Sequence, residues 1–397
     1  MRPRFFSKIA ASAPFTLALN DGMTPNQIKR DIISLLEPYV KDKSFLSERA
    51  IDLFSVEAVS IGRLLSRAEW KSLFDFAFAL RHEALVTNKT RATEVMASFQ
   101  VPIQETQGKF ALQVTFEQDK EKLNIEEYAF ELFRNIGALI ESTVQPFLKE
   151  FYCLAQVCKG FSTSPATVIV DDFGNIVAEL EKLISLPDLV APSPWHLRLN
   201  QWRNIAQHHK YKVEGDIIIA EYGKSPAAKN IRLTRNELTA VAIEVNARLG
   251  ILKSSRFLTV VNNIDHLRPF LATIEDDVSA ICLNLASGFV TQGFRVTGID
   301  YAEDPVTVRL IDDAPHAGPK RYIHCSQFLL PIATHFPGRA VEVQLRTSDD
   351  RPQWVFRLEA ERLMRIVSAK EPDLALAETI DWKNVVKIAK ENGVESF

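Results

Sequence analysis

The stretch Leu199-Asn200-Gln201-Trp202-Arg203-Asn204-Ile205-Ala206-Gln207-His208-His209-Lys210 organises the reading of the whole chain. Pro187, Pro192 and Pro194 punctuate the approach to it, and a helix is expected over 195–209. Within that helix Arg203 is followed by Asn204 and, five positions on, by His208. Arginine holds a phosphate with a planar fork of donors. Histidine gives or takes a proton near neutral pH. Asn204 can fix the geometry of either. The three residues form a kit for handling a phosphodiester. Cleaving RNA without a metal needs proton transfer at the 2′-hydroxyl and the 5′-oxygen, plus positive charge on the phosphoryl oxygens.

The flanks supply a frame. Helices are expected over 125–157 and 171–186, joined by a Ser/Thr/Pro connector at 160–170. Tyr128, Leu132, Ile136, Leu139, Ile140 and Val144 give the first an apolar stripe, and Pro146 kinks or splits it. After the motif, 211–213 and 216–222 read as two strands around the turn Glu214-Gly215-Asp216. Thr234-Arg235-Asn236-Glu237 is a capping box that opens a last helix, with Gly250 as its expected stop.

Charge favours the same segment. Eight arginines and lysines lie in 195–235 against Glu214, Asp216 and Glu221, a net +5, so the rest of a chain of net charge −3 carries −8. A local basic patch on an acidic protein suits a phosphate backbone. Arg198, Lys210 and Lys212 are candidates for RNA backbone contacts, and Trp202 and Tyr211 for stacking on bases. The alternative for the aromatics, Trp195 and Tyr222 included, is the core. Geometry raises one objection. Five residues advance an ideal helix by about 500°, so Arg203 and His208 sit roughly 140° apart. They converge only if the helix ends near Gln207 or a symmetric dimer shares the site. His209 is the alternative histidine.

Arg203-Asn204-x-x-x-His208, with its flanks, resembles the Arg-polar-x-x-x-His motif of HEPN domains, an all-helical family. The likeness spans roughly 120–252, about a third of the chain. It implies a helical bundle that dimerises and cleaves RNA without a cofactor or metal, leaving 2′,3′-cyclic phosphate ends. It also implies a toxin–antitoxin or antiphage setting with an antitoxin or other defence partner. Arg203 and His208 then form the catalytic pair, with Asn204 in support. Some members bind or assemble instead of cutting, so a non-catalytic dimerisation or nucleotide-sensing module is the alternative. The bulky Gln207-His208-His209 departs from many relatives, which place a small residue before the histidine.

The remainder reads as packing and regulation. A chain of 397 residues implies two or three domains. The expected fold class is mainly α with a separate α+β part: an arm at 1–22, a helical region at 23–117, the HEPN-like domain at 120–252 with its inserted hairpin, and an α+β domain at 255–397. The arm's short apolar run is broken by Pro14 and makes a weak signal peptide. Phe110, Leu112, Val114 and Phe116 alternate and suggest a strand or hairpin within 101–117. Strands are expected over 290–301, 306–311, 341–345 and 353–358, with helices at 326–336, 359–369 and 382–391. Cys153, Cys158, Cys282 and Cys325 lack zinc spacing and read as free thiols, which fits a reducing cytosol. Asp312-Asp313-x-x-His316 reads as a loop, and His324-Cys325 are neighbours that cannot share a ligand. No apolar run reaches a membrane-spanning length of about twenty residues, and no Gly-rich phosphate loop occurs.

Overall fold

In the computed structural model the described residues are 25–50, 53–106, 123–223, 226–271, 294–312, 325–346, 352–369 and 372–379, with 278, 281–282, 285–286 and 289 between. The chain is mainly helical, with a separate α+β part, and divides into two compact units near residue 276. Among the described residues no helix is long and apolar enough to cross a membrane.

The first unit opens with α1 (Pro25–Leu36), α2 (Lys43–Glu48), α3 (Ser55–Leu65), α4 (Ala68–Thr87) and α5 (Lys89–Ser98). Residues 100–106 are helical, not strand; Phe110–Phe116 lie outside the described residues. Next come α6 (Ile125–Leu139), a π-helical segment (Ile140–Val144) and α7 (Gln145–Cys158). Asn124 and Glu127 close a capping box on α6. The expected break at Pro146 takes a specific form: the Gln145 N–H reaches back to the Ile140 carbonyl, one residue further than in an α-helix.

The expected connector at 160–170 holds a short helix, α8 (Pro165–Val170), followed by α9 (Phe173–Leu183) and α10 (Leu199–Gln207). Strands β1 (Tyr211–Glu214), β2 (Ile217–Tyr222) and β3 (Lys229–Leu233) form an antiparallel sheet in chain order. The expected hairpin thus has a third strand. Thr234 and Glu237 close the capping box of α11 (Arg235–Val261), and α12 (Ile264–Leu271) ends the unit. Gly250 does not stop α11. A Cβ there would meet only Leu64 carbons, at 3.6–4.0 Å, so the helix passes through it packed.

The expected division between 23–117 and 120–252 does not appear as two cores. One apolar core runs from Ile28 to Leu267, and α4 packs on both α7 and α11. A buried charged cluster links the same three helices. Arg81 on α4 donates from Nη1 to Glu150 Oε2 on α7 (2.6 Å), and Arg256 on α11 from Nε to Glu150 Oε1 (2.8 Å). Arg256 Nη2 also reaches the Met96 carbonyl (3.2 Å) and Gln100 Oε1 (2.8 Å). Burial alone would push the Glu150 carboxyl up; Arg256 and Arg81 outweigh it and hold it below the usual carboxylate range. A buried charge persists only when paired in this way. Cys153 and Cys158, on the same α7, are pushed up by burial to about 12 and about 11.

The second unit has β4 (Phe294–Asp300), β5 (Val306–Asp312), α13 (Leu329–His335), β6 (Val341–Arg346), β7 (Pro352–Leu358), α14 (Ala360–Val367) and α15 (Pro372–Thr379). Its sheet order is β4-β5-β6-β7, with β5 and β6 parallel and the outer pairs antiparallel. Val306, Val308, Leu310, Val341, Val343 and Leu345 are buried, as their alternation demands, with Ile332, Leu363 and Ile366 from the helices. The helix expected at 382–391 lies outside the described residues, as do Asp313, His316 and His324.

Candidate functional site

Helix α10 is fixed at both ends. The Leu199 N–H donates to the Val190 carbonyl (2.9 Å), and Gln201 Oε1 accepts from the Arg198 N–H (3.3 Å). Leu199, Trp202, Ile205 and Ala206 form its buried face. Gly137 lets α10 lie close against α6: a Cβ there would stand 2.8 Å from the Ala206 Cβ. At the far end the helix stops at Gln207. The His208 N–H donates to Asn204 O (3.1 Å) and the Lys210 N–H to Ile205 O (3.0 Å). His209 between them has φ +48°. This closing turn normally takes glycine at the left-handed position. Histidine there turns its ring back toward α6, parallel to Phe130, with ring centroids 6.1 Å apart and planes 6° apart.

Arg203 leaves the polar face of α10 and is held on three sides. Its Nη1 donates to Glu141 Oε2 (3.1 Å), and Nε and Nη2 donate to Asn204 Oδ1 (3.3 and 3.1 Å). The guanidinium carbon lies 5.6 Å from the centre of the Phe173 ring. Only 16% of the side chain is exposed. Asn204 thus accepts two of the hydrogen bonds that the arginine makes. Lys149 adds to the local field. It donates to the Ile169 and Asp171 carbonyls (2.8 Å each), and its ammonium is pushed down, chiefly by burial, with Arg203 adding to the shift.

A cleft of about 580 Å³ opens between α6, the π-helical segment and the end of α10. Phe130, Arg134, Gly137 and Ala138 line it from α6, with Glu141 and Ser142 from the π-helical segment. Ala206, Gln207, His209 and Tyr211 complete it. Glu141 therefore joins the cleft to Arg203. His209 is on the cleft and His208 is not; His208 is exposed at the helix cap. Among the described residues no hydrogen bond or ring contact joins Arg203 to either histidine. The helix does end at Gln207, but in one chain neither histidine meets Arg203; the left-handed residue turns His209, not His208, onto the cleft.

The expected RNA-contacting residues divide. Trp202 is fully buried, edge-on to Trp195, with its Nε1 unpartnered; the core claims it, and it offers no surface for a base. Its position among Leu199, Ile205 and Ala206 is the cause. Arg198 pairs with Glu181 (2.5 Å) and Lys212 with Glu214 (2.7 Å). Glu141 and Glu181 come from outside 195–235, so they offset a basic charge that the segment alone overstates. Lys210 is half-buried, its N–H closing α10 and its carbonyl accepting from the Glu221 N–H (2.8 Å). Tyr211 is half-buried, stacks on Phe133 at 4.4 Å and reaches the cleft; burial raises its hydroxyl.

Phe130, Arg134, Gly137 and Glu141 are the site residues that the motif does not announce. Their signal is a second stripe at i, i+4, i+7 and i+11, offset from the apolar one, with a phenylalanine where solvent is expected. Compared with known proteins, the chain matches no family model, no curated protein sequence and no solved structure.

Proposed function

We propose that this chain is a metal-independent RNA endonuclease of the HEPN type. The observation that carries the reading is that Glu141, which accepts from Arg203, lines the same cleft as His209. In the proposed reaction an imidazole takes the proton of the ribose 2′-hydroxyl. The 2′-oxygen bonds to phosphorus, and the bond from phosphorus to the 5′-oxygen breaks. The leaving 5′-oxygen is protonated, and a 2′,3′-cyclic phosphate remains. Arg203 stabilises the charge that builds on the phosphoryl oxygens. His209 is the imidazole the cleft favours, and His208 serves if a second copy supplies part of the site. The setting that fits is a cytoplasmic homodimer in a toxin–antitoxin or antiphage system, restrained by an antitoxin or other partner.

One observation favours the second reading, a non-catalytic dimerisation or nucleotide-sensing module. Arg203 is already committed to Glu141 and is largely covered. Purified protein incubated with RNA in EDTA decides between them. The nuclease reading expects cyclic-phosphate fragments that disappear in Arg203→Ala. Uncut RNA, or cutting at the wild-type rate by Arg203→Ala and by the double variant His208→Ala/His209→Ala, removes it. The module reading expects these variants to change assembly, seen by light scattering, with RNA intact throughout.

A further inference from the structure

Resting on the RNA reading, we propose that the cleft beside His209 is a seat for one unpaired nucleobase. Its floor is made of the small residues Gly137, Ala138 and Ala206, which leave a space of about 580 Å³, within the range of small-molecule sites. One wall is aromatic. Phe130 is 46% exposed and borders the cleft. Its plane is parallel to the His209 imidazole, with centroids 6.1 Å apart, a stacked arrangement that a further flat ring can extend. Tyr211 stands 6.3 Å from His209 at 56°. A flat ligand with two apolar faces satisfies this wall by stacking.

The lining is mainly apolar with four polar residues set in it, Arg134, Glu141, Ser142 and Gln207. Arg134 pairs with Glu131, Ser142 Oγ donates to the Ala138 carbonyl and Glu141 accepts from Arg203. A concave, mainly apolar space with a few polar groups suits a flat base with a hydrogen-bonding edge. Glu141 also fixes the direction of the ligand. It is bonded to Arg203, so a nucleotide whose base occupies the cleft runs its phosphate toward the arginine at that end. His209 offers its ring face to the base and its nitrogens to the ribose.

The test is calorimetric titration of the full chain with adenosine, guanosine, cytidine and uridine 5′-monophosphates, and with ribose 5-phosphate and inorganic phosphate. At least one mononucleotide is expected to bind at least about tenfold more tightly than ribose 5-phosphate. Phe130→Leu keeps apolar bulk without a π face and is expected to lower that affinity about tenfold. Ala138→Phe fills the floor and is expected to abolish it. Thermal melts confirm that each variant folds, and either one alone suffices. No nucleotide binding, equal binding of ribose 5-phosphate, or unchanged affinity in a folded variant overturns the subsite. Phe130→Leu that dissociates a dimer without altering nucleotide affinity also overturns it and gives the face to a second copy. Phe130-dependent binding without RNA cleavage upholds the subsite and removes the nuclease. Cleavage by a chain whose nucleotide binding ignores Phe130 does the reverse.

Discussion

Arg203 donates to Glu141 across 3.1 Å, so the cation proposed to meet a phosphate is held by a carboxylate that borders the cleft. Glu141→Gln removes the competing charge and keeps a hydrogen-bond acceptor. A part-exposed pair of this kind is worth up to about 1 kcal/mol, so RNA affinity is expected to rise about twofold to fivefold. Fluorescence anisotropy with a 2′-O-methyl RNA, which cannot be cut, measures it. Unchanged affinity in both Glu141→Gln and Arg203→Ala would show that phosphate does not visit this arginine.

His209 occupies a left-handed position with φ +48° where glycine is usual. An L-residue there costs roughly 1–2 kcal/mol. His209→Gly is expected to raise the melting temperature by about 2–4 °C, as for a change of about 1 kcal/mol in a unit of this size. It should at the same time lower RNA cleavage. His209→Ala keeps the backbone cost and should lower cleavage without the gain in stability. If His209→Gly melts no higher than His209→Ala, backbone strain at this residue is not what distinguishes them.

Gly137 is the contact point of α6 and α10. A Cβ placed there would stand 2.8 Å from the Ala206 Cβ, so Gly137→Ala must push the helices apart. Overpacking of this kind costs about 1–3 kcal/mol, and α10 carries Arg203 and His209 with it. Urea titration of the variant should show the loss of stability, and RNA cleavage should fall with it. Gly250→Ala is the control: its nearest neighbours are Leu64 carbons at 3.6–4.0 Å, and it should fold normally.

Glu150 links Arg81 and Arg256 inside the first unit. Its carboxyl is held below the usual range, so it favours the folded state fully above the unfolded value of 4.5. That contribution is lost as the pH falls below 4.5 toward the depressed folded value. Glu150→Gln leaves two arginines facing a neutral partner and should cost about 3–5 kcal/mol. Its stability should also depend less on pH than the wild type's below about pH 5. Denaturant unfolding across that window gives both quantities.

Legibility followed how local each signal was. The Thr234–Glu237 cap and the β5 and β6 alternations are written within a few residues, and the structure contains them. Strand β3, with the sequence Lys229-Asn230-Ile231-Arg232-Leu233, is mostly polar and becomes a strand because β2 offers it an edge. The shared core was hidden because Arg81, Glu150 and Arg256 look like surface charges until α4, α7 and α11 meet. In the candidate site, Arg203 and Asn204 were readable as a pair. Which histidine faces the cleft was not, because a single positive φ decides it. Trp202 read as an aromatic among charges and proved to be core, since its helical neighbours set which way it points.

The parallel pairing of β5 with β6 has a kinetic consequence. The β6–β7 pair closes over a short stretch of chain, and so does β4–β5. The seam between them waits until the chain from Asp312 has travelled through α13 and returned at Val341. Loop closure over that distance is slower than hairpin formation. In pulse-labelled hydrogen exchange during refolding, amides bonded across the outer pairs should gain protection first. Those bonded across the β5–β6 seam should follow, making it the last joint of the second unit to lock.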